Sequence, residues 1–237
     1  MIKKYTTLEE FLADYEANPT WFNMLIDIQS IQDIPPLYKP VINMVFLSTD
    51  LEDFEIYLQE KAQDPNGKFY KEPRYSISSK GLFRIRSAAD ARFISTNITQ
   101  DKENKTITAT VTMQFHNPTG GWATITQSKT VSDFMKLKNG SIVPDPNAAQ
   151  KAETGAQNRC IRKAFNIKSH YSLEELKKPF TIIYLELDET KDIDVKRAKI
   201  AAAMGPSMML YGRPINIPQL PQFVDKETGE IIEGGQA

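Results

Sequence analysis

The chain has 237 residues, 41% of them hydrophobic and 25% charged, with a formal net charge of −1. That length is long for one compact domain and short for two full ones, the composition is ordinary for a soluble globular protein, and the charge balance excludes a polycation along the whole chain. No apolar run approaches the roughly 18–20 residues of a membrane-spanning helix, and the single Cys160 excludes an internal disulfide framework and fits a reducing compartment.

The start, "MIKKYTTLEEF", has two lysines with no apolar stretch behind them, so no secretory signal is expected and the predicted location is the cytoplasm. Thr7-Leu8-Glu9-Glu10 is a capping-box pattern that predicts a helix over about residues 8–17, closed by "ANP". "WFNMLIDIQSI" is apolar enough to be buried but fits helix and strand alike, and "IPPLYKP" breaks the pattern. Thr49-Asp50-Leu51-Glu52 predicts a second helix, running to about Ala62, before a turn at "DPNGK" in which Asn-Gly supplies a positive φ. Ser79 is the expected cap of a short helix in "KGLFRIRSAADA" with Leu82, Ile85 and Ala89 on one face.

"RFISTNIT", "KTITATVTMQFH" and "GWATITQSKTV" are rich in Thr, Val and Ile and are separated by "QDKEN" and "NPTGG", loops of hairpin length. Ile107, Ala109, Val111, Met113 and Phe115 alternate with Thr106, Thr108, Thr110, Thr112 and Gln114, the pattern of an antiparallel sheet with one wet side. A three-stranded meander is predicted. Asp145 as N-cap and Pro146 at the first position would open the long helix "KAETGAQNRCIRKAFNI". Ser172 caps a short helix, "FTIIYLELD" reads as a strand, and "DIDVKRAKIAAAMGPSMMLYG" as a last helix with a Gly-Pro interruption. The fold class expected is α+β, a β-β-β-α core with flanking helices. Residues 1–212 form one domain in this reading, and 213–237 an extended or disordered tail.

Charge is distributed unevenly. Between Lys68 and Arg92 seven basic residues stand against Glu72 and Asp90, a net of +5; between Lys151 and Lys168 five stand against Glu153, a net of +4. Two basic patches on a near-neutral protein point to a polyanion-binding face, although either patch alone is better read as a solvated helix face. On the long helix, Ala152, Ala156, Cys160 and Ala164 form one stripe that allows close packing, with Lys151, Gly155, Arg159 and Arg162 beside it. Gly155 costs helix stability of up to about 1 kcal/mol relative to Ala, so something is expected to approach the backbone there. Arginines beside such a surface suit phosphate oxygens; the competing reading is a core helix whose arginines pair with acidic segments of the same chain.

"YSISSKGLFRIRSAADA" resembles the "ylT-x-x-G-L-x-k-l-a-x-x-A-G" segment of phage recombination-locus proteins, with Arg92 where the pattern has glycine. "KAETGAQNRCIRKAFNIKSHYSLEELKKPF" resembles their "AeTkAknRalRkaLgik…yt-x-eEL-x-kPF" segment, and "VDKETGEIIE" their tail. The chain is thus similar to phage single-strand annealing proteins of the Erf, Sak and RecT kind, over about half its length. The resemblance implies cofactor-free, ATP-independent binding of single-stranded DNA and annealing of complementary strands on a homo-oligomeric ring or filament in the bacterial host cytoplasm. It further implies a phage exonuclease or a host single-strand-binding protein as partner. A groove for single strands needs cations along the backbone and flat groups beneath the bases. Lys80, Arg84, Arg86, Lys151, Arg159, Arg162 and Lys163 are the candidates for the first, and Tyr75, Phe83 and Trp122 for the second.

No G-x-x-x-x-G-K-[ST] phosphate loop is present, which argues against a strand-exchange ATPase. His116, His170 and Cys160 make neither a zinc set nor a Cys–His pair, so no catalytic or metal residue is assigned. The rival enzyme reading is a Mg-dependent nuclease using Glu186, Asp188, Asp192, Asp194 and Lys196 in "LELDETKDIDVK"; acidic residues ahead of "VKRAKIAAAM" equally suit a helix start. Two non-enzymatic readings also fit the basic patches: a plain single-strand-binding protein, and an assembly protein that uses them as subunit interfaces.

Overall fold

The computed structural model describes residues 5, 7–26, 34, 37–64, 66–117, 120–137, 140–188 and 190, which all fall within the unit Met1–Val195. The boundary at 212, the tail 213–237 and the last predicted helix lie outside the described residues. The fold is mixed α and β, with four α-helices and several small sheets among the described residues.

Helix α1 (Leu8–Ala17) begins where the capping pattern predicts, the Thr7 side chain accepting from the Glu10 amide. Leu8 and Phe11 pack on a sheet of strands β1 (Asn23–Met24), β2 (Tyr38–Val45) and, from far along the chain, β10 (Phe180–Leu187). In this sheet β10 is central, parallel to β1 and antiparallel to β2. Ile183 and Leu185 face α1, whereas Phe180, Ile182 and Tyr184 belong to the larger core on the other side. A strand buried on both faces needs an unbroken apolar run, and "FTIIYL" supplies it. Strand β2 is a departure from expectation, since the proline-containing segment reads as a break. Its Pro40 stands on an edge strand, where a missing amide donor costs no sheet hydrogen bond. Of "WFNMLIDIQSI", Leu25 is buried but Trp21 is exposed.

The helix predicted from Asp50 to Ala62 does not form. Asp50 does accept from the Glu52 amide, but only a single 3-10 turn follows (Leu51–Asp53), ended by Phe54 at φ 56°. The chain then turns into β3 (Ile56–Leu58), antiparallel to β4 (Tyr75–Ile77). Tertiary burial decides this: Ile56 is buried, and Glu55 is drawn inward to accept from the Ser48 amide at 2.8 Å and from Arg84. The "DPNGK" turn forms as read, with Asp64 accepting from the Asn66 and Lys68 amides and Gly67 at φ 79°. Helix α2 (Ser79–Ala88) is capped by Ser78, one residue before the predicted Ser79, and buries Leu82 and Ile85 with Ala89 just beyond its end.

Strands β5 (Arg92–Asp101), β6 (Thr106–His116) and β7 (Trp122–Ser132) form an antiparallel sheet in that order, with an irregularity between Phe93 and Ser95. Ala109, Val111 and Met113 are fully buried on one face. On the other, hydroxyl pairs Thr108–Thr130, Thr110–Ser128 and Thr112–Thr126 bridge β6 and β7 at 2.8–3.0 Å. After the small hairpin β8 (Phe134–Lys136) and β9 (Ile142–Pro144), helix α3 (Ala148–Ala164) lies across β6 and β7. Ala152, Ala156 and Cys160 are fully buried there, and the Cys160 thiol points at the Val111 carbonyl at 3.3 Å. The predicted N-cap is corrected. Asn147 occupies that position and Asp145 stands before it, accepting from the Asn147 amide and from Lys151. Helix α4 (Leu173–Leu176) carries the full Ser172–Glu175 capping box.

Candidate nucleic-acid interface

The outward side of α3 carries the more open of the two basic clusters. Arg159 is exposed and donates one hydrogen bond, to the Ser128 carbonyl of β7 at 2.6 Å. Lys163, one turn on, is exposed. With Gln127, Arg162, Asn166 and Ile167 they line an open cleft of about 540 Å³. Arg162 differs from its neighbours. Its Nη2 donates to the Ile77 carbonyl at 2.6 Å and its Nη1 to the Lys168 carbonyl at 2.8 Å, and burial lowers its pKa from the usual guanidinium value. It ties α3 to β4 while one side of the group stays on the cleft wall.

Gly155 does admit a close neighbour, but that neighbour is the chain itself: a Cβ there would stand 2.9 Å from Lys129 Cγ. The small-residue stripe and the glycine both serve the seating of α3 on β6 and β7. Lys151, at the helix start, donates to Asp145 at 2.6 Å.

The α2 cluster is more fully engaged within the protein. Lys80 Nζ donates to the Asp53 carbonyl at 2.7 Å, and Arg84 forms an ion pair with the buried Glu55. The Arg86 guanidinium lies over Phe93 at 5.1 Å and Phe83 at 5.5 Å, two rings that meet edge to face. Lys80, Phe83 and Arg84 border a second open cleft of about 590 Å³ with Met44, Val45, Ser87 and Ala88. Of the seven predicted cations, Lys80 and Arg84 border one cleft, Arg159, Arg162 and Lys163 the other, Lys151 stands at the start of α3 and Arg86 lies over the Phe83–Phe93 pair. Lys80, Arg84, Lys151, Arg159 and Arg162 all bond carboxylates or carbonyls of the fold itself, Arg159 from an exposed position.

The three aromatic candidates are all half-buried. Tyr75 exchanges both backbone hydrogen bonds with Tyr171, at 2.9 and 2.8 Å. Phe83 packs against the main core. Trp122 packs on His116 with centroids 3.9 Å apart and the rings tilted by 33°, and Arg92 lies over its ring at 5.5 Å. The rings that face solvent are others, above all Phe54, Phe69 and Trp21, which are 72%, 63% and 62% exposed, followed by Tyr57 at 50%. Nothing local marks these rings as open: Phe54 and Tyr57 fall within the helix expected over 50–62, and the three residues of β3 are too few for a strand period to show.

His116 closes the end of the β6–β7 hairpin, between Trp122 and Tyr184, whose ring stacks on it at 4.3 Å. Its Nε2 is 3.3 Å from Asp90, which also pairs with Arg92. Burial lowers the His116 pKa, with Asp90 and Glu186 opposing and Arg92 reinforcing the shift. His170 sits in the loop before α4, against the Tyr70 ring and Ser169.

Glu186 stands near the end of β10 and Asp188 just beyond it, while Asp192, Asp194 and Lys196 lie outside the described residues. Among the described residues no three His, Cys, Asp or Glu side chains are grouped to hold a metal ion, and no helix is long and apolar enough to cross a membrane. No family model matches the chain, and no curated protein matches it.

Proposed function

We propose that the protein binds single-stranded DNA without nucleotide and speeds the pairing of complementary strands as a homo-oligomer of the phage annealing type. The observation that carries this is the α3 cleft. Exposed Arg159 and Lys163 stand one turn apart along a groove whose remaining polar lining is Arg162 and the uncharged Gln127 and Asn166, with no carboxylate among the described lining residues. A row of cations above neutral amides attracts a phosphate backbone without repelling it, and no buried counter-charge has to be displaced. Strands β5, β6 and β7 precede α3 in the chain with the small β8–β9 hairpin between them, which lends support to the β-β-β-α core expected from the sequence. Annealing needs bases left accessible to a second strand, which backbone-directed cations allow.

The test is a strand-annealing time course with two complementary oligonucleotides, without nucleotide and with and without Mg²⁺, for the wild type and for Arg159→Ala/Lys163→Ala. Faster pairing that the double substitution slows supports the reading. Each lost phosphate contact should also lower the slope of log affinity against log salt by about 0.7. Binding without faster pairing would leave a plain single-strand-binding protein. Strand loss only with Mg²⁺ would replace the reading with the nuclease.

A further inference from the structure

We propose that the Tyr57 ring is a platform on which an unpaired base stacks beside the α3 cleft, and that it makes the cleft prefer single strands to duplex. This rests on the single-strand reading above.

The placement follows from hydrogen bonds that converge on β4. Arg162, on the cleft wall, donates to the Ile77 carbonyl of β4 and to the Lys168 carbonyl. Ser76, next to Ile77, donates to the Ser169 carbonyl. These bonds stitch β4 to Arg162 on the cleft wall and to residues 168–169, which follow the lining residues Asn166 and Ile167 in the chain. Among the described residues β3 is the one strand paired with β4 in its sheet, and its register sets Tyr57 opposite Ser76. Tyr57 is thereby held one strand away from the residues bonded to Arg162 and Ser169.

The chemistry of the ring fits this position. Half of Tyr57 is exposed although the side chain is large and mostly apolar. A nucleobase offers a flat π-face to such a ring whatever its sequence, while its phosphate reaches the cations alongside. In a duplex both faces of a base are already stacked on neighbouring pairs, so the ring gains nothing without unpairing. Arg159 and Lys163 attract either form of DNA; Tyr57 separates them. Phe54, Phe69 and Trp21 are more exposed, but among the described residues no such set of bonds ties any of them to the cleft.

The experiment measures fluorescence anisotropy of the full chain with three labelled probes of equal length: an oligothymidine, an abasic sugar–phosphate strand and a duplex. Wild type should bind the oligothymidine more tightly than the abasic strand. Tyr57→Ala should weaken oligothymidine binding about fivefold to tenfold and leave the abasic strand and the duplex nearly unchanged. Tyr57→Phe and Tyr57→Trp should keep wild-type affinity, which guards against a folding defect. Equal losses with the oligothymidine and abasic strands, or no loss at all, would overturn the platform. Should Arg159→Ala/Lys163→Ala weaken binding while Tyr57→Ala does not, only this inference falls. If wild type binds no oligothymidine, the functional reading falls with it.

Discussion

Arg162 and Arg159 lie three residues apart on one helix and look equivalent in the sequence, yet the structure gives them opposite work. Arg162 bonds two main-chain carbonyls with a half-buried guanidinium, whereas Arg159 bonds one carbonyl from an exposed position. A hydrogen bond from a charged donor contributes about 1.5–3 kcal/mol. For Arg162 part of that offsets the desolvation that lowers its pKa. After truncation the Lys168 carbonyl, on an exposed residue, regains water, but the carbonyl of buried Ile77 does so less readily. Arg162→Ala should therefore cost about 2 kcal/mol, most of it at Ile77. For a chain of this size that lowers the thermal midpoint by about 4–8 °C. Arg159→Ala should cost less than about 1 kcal/mol, since water replaces an exposed bond. Urea unfolding followed by circular dichroism measures both, with an unchanged m-value showing that the transition itself is the same. Equal midpoints for the two variants would refute the assignment of Arg162 as a tie between α3 and β4.

Two glycines on helices should respond differently to alanine. At Gly81 a Cβ would meet the Glu55 carbonyl oxygen at 2.6 Å and Ile77 Cγ2 at 2.7 Å, so overpacking should outweigh the helix gain and destabilise by about 1–2 kcal/mol. At Gly155 the obstacle is Lys129 Cγ at 2.9 Å, near the root of that side chain, which must rotate away; the helix gain offsets part of this, and Gly155→Ala should destabilise by less than Gly81→Ala, about 0.5–1 kcal/mol in the same urea assay. Because burial lowers the His116 pKa, the unfolded chain takes up its proton first; stability should be full above about pH 6.5 and fall as pH drops through the folded value. His116→Gln should be less stable at neutral pH but lack that slope as pH falls below about 6.5, and an unchanged slope would move the effect to Asp90, Arg92 or Glu186. Arg84→Met should leave buried Glu55 to accept from the Ser48 amide without its guanidinium partner, and lower stability by about 1–2 kcal/mol in urea unfolding.

Where a signal is local, the sequence carries it. The Thr7 cap, the Ser172–Glu175 box and the Asp64–Gly67 turn are each complete within four or five residues, and each forms. The alternation of β6 shows because one face is buried and the other wet along its whole length, and the stripe Ala152, Ala156, Cys160 shows because every member touches the same sheet. Asp50 marks the limit of that logic. Its side chain makes the bond that a helix start requires, yet the chain leaves the helix at Phe54 because Glu55 and Ile56 have partners elsewhere in the fold.

The candidate site was legible as residue types and not as roles. A sequence shows that Lys151, Arg159, Arg162 and Lys163 share a helix. It does not show that Arg162 reaches a carbonyl 85 positions away, or that Arg84 meets Glu55 across 29. Nor does it show that Trp122 is covered by His116 while Tyr57 faces water. Charge and periodicity belong to the chain, so composition fixed a basic, small-residue helix on a half-wet sheet. Which cation is consumed by the fold, and which ring stays open beside it, depends on partners brought together only when distant strands pair; that was decided by the tertiary structure alone.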